Sequence, residues 1–134
     1  MAPKKTEENT DGVSINLVSS DRLGAMTTTE KIRFILDEVE AGKILVLERG
    51  LTANEEARLI EATMAEIDVD TFIGIEMQSY GVETQRSVIQ RFLGTPPRPR
   101  MAVIGPANRL TTVRKDSNEI QARILNAQGI AAVA

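Results

Sequence analysis

The 134-residue chain has no cysteine, no histidine and no tryptophan, and only three phenylalanines and one tyrosine. Without cysteine it has no disulfide and no thiolate, and without histidine as well it lacks the usual zinc ligands. The same two absences remove Ser–His and Cys–His nucleophile pairs and the commonest general base. Any metal would have to be a hard cation on carboxylates, and the acids show no third ligand beside Asp68-Val-Asp70, so neither a metal nor another cofactor is expected. With 3 % aromatic residues the core must be aliphatic. No apolar run approaches the ~18 residues that cross a bilayer. The polar opening Met1–Gly12 is not a secretory signal. A cytoplasmic protein is expected, with attachment to a membrane surface as a peripheral variant.

Acidic residues are missing from one long stretch. Thr84–Lys115 has none in 32 residues, yet holds Arg86, Arg91, Arg98, Arg100, Arg109, Arg114 and Lys115. The segment before it, Met1–Glu83, holds 17 acidic and 8 basic residues, a balance of −9. Such polarity selects partners through the long-range field. An overall pI near 5.1 and the scarcity of aromatic residues among the arginines, only Phe92, which reads as core, argue against a general nucleic-acid binder.

The pattern along the chain is that of one α/β domain. Residues 1–12 read as a disordered leader. Val13, Ile15 and Leu17 alternate with Ser14 and Asn16 as a half-buried strand. Thr27-Thr-Thr-Glu30 is a capping box, and Ile32, Ile35, Leu36 and Val39 form the stripe of the helix behind it, closed by Gly42. Ile44–Leu47 is a covered strand. Thr52-Ala-Asn-Glu55 repeats the box and opens a helix to Ile67 whose stripe is Ala57, Ile60, Met64 and Ile67. Phe72–Met77 reads as a third strand. Residues 84–100 break the rhythm as a basic irregular arm, with an amphipathic piece at Gln85–Leu93 and prolines from Thr95 to Arg100. Met101–Ile104 is a fourth strand, Leu110–Val113 a candidate hairpin partner for it, and Ser117 the cap of a short helix using Ile120, Ile124 and Leu125. The domain spans 13–128, with a flexible tail at 129–134. The expected fold is therefore a mixed four- or five-stranded sheet packed with two capped helices plus a short C-terminal helix.

Chemistry-bearing motifs are few. Ala41-Gly-Lys43 fails as a phosphate loop, since Asp37 stands where the first glycine belongs, Ile44 where Ser or Thr belongs, and the element order is reversed. It reads as a helix C-cap. Asp68-Val-Asp70 reads as a capped turn. Tyr80, at the end of the third strand, is a candidate for stacking on a base or a partner. No set of acids converges on an evident pocket, so catalysis is not expected.

Four segments, Thr29-Glu-Lys-Ile-Arg-Phe-Ile-Leu-Asp-Glu38, Lys43-Ile-Leu-Val-Leu-Glu-Arg-Gly-Leu-Thr52, Asp70-Thr-Phe-Ile-Gly-Ile-Glu76 and Val103-Ile-Gly-Pro-Ala107, resemble in order and spacing the archaeal OapB/ArvB family. The likeness runs from about Ser14 to Ile124. The resemblance implies an archaeal protein of a family known as a domain of unknown function, with genes beside those of a Ras-like or Era-like small GTPase. Its names refer to a neighbouring replication origin and to vesicle formation. It supplies no catalytic residue to carry over.

The reading is a non-catalytic accessory or regulatory partner of such a GTPase. It would use Arg86, Arg91, Arg98, Arg100, Arg109, Arg114, Lys115 and Tyr80 against an acidic surface. The alternative is RNA or DNA binding by the same residues. An anionic membrane surface and a homodimer, basic arm on acidic helix, are further options.

Overall fold

The computed structural model describes residues 12–81, 98–115 and 119–125. Most of the expected leader, the arm from 84 to 97 with its amphipathic piece, Ser117 and the tail lie outside the described residues. The element order is β1 (Ile15–Val18), α1 (Ser20–Gly24), α2 (Thr28–Glu40), β2 (Ile44–Leu47), α3 (Ala53–Glu66), β3 (Ile75–Tyr80), β4 (Met101–Pro106), β5 (Leu110–Lys115) and β6 (Ile120–Ile124).

Both long helices start as their sequences require. Thr27 Oγ1 accepts from the Glu30 amide at 3.1 Å while the Glu30 carboxylate accepts from the Thr27 amide at 2.9 Å. Thr52 and Glu55 repeat the exchange at 3.2 and 2.9 Å. Each box satisfies amides that a helix start leaves orphaned. Gly42, at φ 90°, closes α2, because the Gly42 and Lys43 amides must turn back onto the carbonyls of Val39 and Glu38.

Four strands form one mixed sheet in the order β1-β2-β4-β3; β1 and β2 are parallel and the other two pairs antiparallel. α2 and α3 cover one face. Ile35, Leu36, Val39, Leu45, Leu47, Leu59, Ala102 and Ile104 are all buried there, forming an aliphatic core as the composition demands. The hairpin β5–β6 lies on the opposite face, over β3 and β4. Leu110 is buried against Gly105, where a Cβ would stand 3.4 Å from that leucine, and Thr112 Oγ1 donates to Glu76 Oε2 at 3.1 Å.

Several elements differ from their expected form. The C-terminal helix is strand β6, because Ile120–Ile124 pairs with β5 and satisfies that strand's backbone. Leu110–Val113 is thus a partner of β6 and not of β4, whose two edges are already taken by β2 and β3. The third strand starts at Ile75, three residues late, since Phe72 is tied into a turn with Asp68 through reciprocal backbone bonds of 2.7 and 2.8 Å. α1 was not expected; Ser19 caps it, Leu23 buries, and the Arg22 guanidinium sits 4.5 Å above the Phe34 ring.

Two apolar faces point the other way from expectation. On β1, Val18 is the buried residue, while Ile15 and Leu17 are 54 % and 70 % exposed. On α3 the inward ridge is Glu55, Leu59 and Thr63, and Ala57, Ile60, Met64 and Ile67 face out. The polar members are accommodated inside because each is bonded: Thr63 Oγ1 donates to the Leu59 carbonyl at 2.7 Å, and Glu55 joins an ion triad.

Candidate functional site

The strands β1, β2 and β3 all end along one edge of the sheet, where β4 begins. In open α/β sheets this carboxyl edge is where crevices form, since loops diverge there. A cleft of about 530 Å³ occupies it, with Arg49, Arg98, Arg100, Tyr80, Glu48 and Met101 among its walls.

Each charged wall is held by the local fold. The turn after β2 carries Glu48 and Arg49. Glu48 Oε1 accepts from the Ser20 amide at 2.8 Å, which ties this turn to α1. Arg49 rests on the backbone of Gly24, where a Cβ would stand 3.1 Å from its Nη1. The Arg100 stem lies over Gly81, which has φ +76°, and a Cβ there would stand 3.0 Å from Arg100 Cδ. Neither Arg49 nor Arg100 forms an ion pair among the described residues.

Arg98 is placed differently. Its Nη1 donates to Glu55 Oε1 at 2.8 Å and to the Gly50 carbonyl at 2.9 Å. The other carboxylate oxygen of Glu55 meets Lys31 Nζ at 2.8 Å, and the Lys31 and Glu55 side chains are only 6 % and 8 % exposed. Burial pushes the Glu55 carboxyl upward, but Lys31, the Thr52 amide and Arg98 together outweigh it and hold the group below its ordinary value. The triad, one carboxylate between two cations, joins α2, α3 and the approach to β4.

The structure therefore gathers part of the predicted set. Tyr80, Arg98 and Arg100 share the cleft. Arg98 is not a free docking charge, because its guanidinium is tied to Glu55, within a triad that keeps one net positive charge. Arg109 stands at the opposite end of β4, roughly 17 Å away at strand rise, in a separate hollow of about 110 Å³ with Val39, Glu40 and Phe72. Arg114 and Lys115 belong to β5, and of these two residues the backbone alone is described; Arg86 and Arg91 lie outside the described residues. Sequence reasoning missed Arg49. Its signal was position, the turn directly after a strand of an α/β sheet.

A second surface is apolar. Ile60 and Met64, at i and i+4 on the outer face of α3, and Ile67, the extended residue directly after it, have exposures of 46 %, 70 % and 46 %. Val69 and Ile73, in the turn that follows, are 83 % and 50 % exposed. A ridge of this kind on one helix face is the form in which helices present anchors to a partner.

Asp68 and Asp70 act as turn residues, with Asp68 Oδ1 accepting from the Asp70 amide at 2.9 Å. Among the described residues no cluster of acids is arranged to hold a metal ion, and no helix is long and apolar enough to cross a membrane.

The model of the family described as "Origin-associated protein OapB" matches residues 23–125, from the end of α1 to just past β6. The chain belongs to the OapB family. No curated protein and no solved structure matches it.

Proposed function

We propose that this OapB-family protein is a non-catalytic accessory protein that docks on a protein partner through the outer face of α3, and that the partner is a small GTPase. The observation that carries the reading is the exposed ridge of Ile60, Met64 and Ile67. Leaving three large aliphatic side chains in water, two on a helix whose other face already fills the core and one just past its end, costs solubility and gains nothing for folding. Arg58 and Glu61, on the same helix, supply charged flanks. An apolar centre with charged surroundings is the anatomy of a protein interface. The GTPase is suggested by the family's gene neighbourhood, an associational argument.

The alternative, an RNA or DNA surface, needs arginines aligned to follow phosphates. The described ones are not so aligned, with Arg98 ion-paired and Arg109 at the far end of β4. Protein docking is therefore the reading we carry.

Calorimetric titration of the full chain against the neighbouring GTPase, loaded with a GTP analogue or with GDP, tests it. Binding is expected, and M64E should abolish it with stability changed by no more than about 0.5 kcal/mol, as for an exposed site. Different affinities for the two nucleotide states would make the protein a regulator, and equal affinities a scaffold. No binding, or M64E binding as well as wild type, would sink the proposal. If the ridge instead joins two copies of the chain, M64E will convert a dimer to a monomer in sedimentation.

A further inference from the structure

The arginine cleft at the carboxyl edge of the sheet is not needed for docking through α3, which lies in the layer covering one sheet face. Its volume of about 530 Å³ falls in the range of small-ligand sites. Arg49 and Arg100 face it without an ion-pair partner among the described residues, and the chain's single tyrosine, Tyr80, forms another part of the wall. Among the described residues the one carboxylate on the wall, Glu48, is engaged by the Ser20 amide.

Like charges placed on one concave surface repel each other, and water screens that repulsion here because both side chains are exposed. They persist side by side because the fold holds them there. Arg49 is pressed on Gly24 and Arg100 on Gly81, two positions where any side chain would crowd the arginine. The Arg100 stem and one guanidinium nitrogen of Arg49 are thus partly ordered before any ligand arrives, which lowers the entropy lost on binding. Guanidinium groups suit one chemistry above others, the bidentate grip on phosphate oxygens. Tyr80 adds a planar apolar face for an aromatic ring. Arg98, ion-paired with Glu55 and fixed by the Gly50 carbonyl, is a rigid part of the wall and is not assigned as a phosphate ligand.

We propose that this cleft binds a nucleoside diphosphate, with Arg49 and Arg100 holding the phosphates and Tyr80 packing on the base. No bond is made or broken; the site is one of recognition.

Calorimetric titration of the full-length protein with ADP, GDP, inorganic pyrophosphate and adenosine tests the site. ADP or GDP should bind, pyrophosphate more weakly, and adenosine not measurably. Affinity should fall as salt is raised, because the contacts are ionic. R49Q and R100Q should each weaken nucleotide binding about tenfold, the value of one charge-assisted contact. Y80A should weaken ADP about tenfold yet leave pyrophosphate within about twofold, a split that general unfolding does not produce. Circular dichroism of each variant checks the fold, and R100K, which keeps the charge but not the fork, should fall between wild type and R100Q. If a 5′-phosphorylated dinucleotide binds more tightly than ADP, the proposed free ligand is wrong and the phosphate belongs to a nucleic-acid end. Absence of ADP, GDP and pyrophosphate binding at millimolar concentration, or binding unchanged in R49Q and R100Q, would overturn the proposal. These variants leave Met64 intact, so failure of this site and failure of the docking surface are told apart.

Discussion

Replacing Glu55 by alanine should be among the most damaging single changes to this protein, and its cost follows from the groups it strands. Glu55 accepts from three donors: Lys31 Nζ at 2.8 Å, Arg98 Nη1 at 2.8 Å and the Thr52 amide at 2.9 Å. Without the carboxylate Lys31 is left with a side chain 6 % exposed and no counter-charge. Breaking a buried pair from one side costs about 3–5 kcal/mol, because the remaining charge is desolvated without compensation. The open capping box at Thr52 is part of that loss, worth about 1 kcal/mol by itself. Arg98 suffers less, since its side chain is 17 % exposed and can reach water. About 4 kcal/mol is therefore expected, a large share of the ~5–15 kcal/mol that holds a domain folded. K31M reverses the geometry: Glu55 keeps Arg98 and the Thr52 amide, so the loss should be near 1 kcal/mol. Urea unfolding followed by circular dichroism gives both numbers, with E55A lowering the midpoint by about 2 M at an unchanged slope. An E55A cost below about 1.5 kcal/mol, or a K31M cost as large as that of E55A, would refute the reasoning. The pH dependence adds a check. The folded carboxyl lies below its ordinary value, so its contribution is complete above the unfolded carboxylate pKa and is lost as pH falls through the depressed folded one. The acid limb of the stability curve should accordingly flatten in E55A.

Two further outcomes follow from local geometry. G50A places a Cβ 2.7 Å from Pro99 Cβ and 2.9 Å from its carbonyl oxygen, so the strap leading into β4 must shift; a loss of about 1–3 kcal/mol is expected in the same urea assay, against no measurable loss for G12A, where nothing lies within 4 Å. Glu40 is raised chiefly by its hydrogen bond to Glu66, which Arg33 holds down at about 2. A raised carboxyl contributes most while protonated and loses that contribution as pH rises through its folded value. E40Q, which keeps a donor at every pH, should slightly raise the melting temperature at pH 7 and leave it unchanged at pH 3; calorimetry at the two pH values reads the difference, and an equal effect at both would contradict the shared hydrogen bond.

The elements that read correctly from sequence are those whose causes are local. Both capping boxes, the Gly42 closure and the aliphatic run Ile44–Leu47 depend on residues within a few positions of each other, and they stand where expected. The α3 face misled because two ridges on that helix are plausible cores. Ile60, Met64 and Ile67 are the more apolar, but the buried ridge uses Glu55, and only Lys31 and Arg98, distant in sequence, make that choice affordable. The same holds at the C-terminus: Ile120–Ile124 has helical spacing, yet pairing with β5 satisfies its backbone. Within the candidate site, Tyr80 and Arg100 were legible as residues, whereas Arg49 lies in an acidic half of the chain where a count of charge gives no hint.

Sequence alone determined what this protein is made from: an aliphatic core without cysteine or histidine, two capped helices alternating with strands, and a basic stretch following an acidic one. Those properties follow from residue identity and short spacing. The tertiary structure alone decided which charges are free. It paired Arg98 with a buried glutamate, sent Arg109 to the other end of β4, and set Arg49 and Arg100 on the walls of one cleft. Charge along a chain is a sum, whereas a binding surface is set by distances between side chains, and those exist only after β4 has come to lie between β2 and β3.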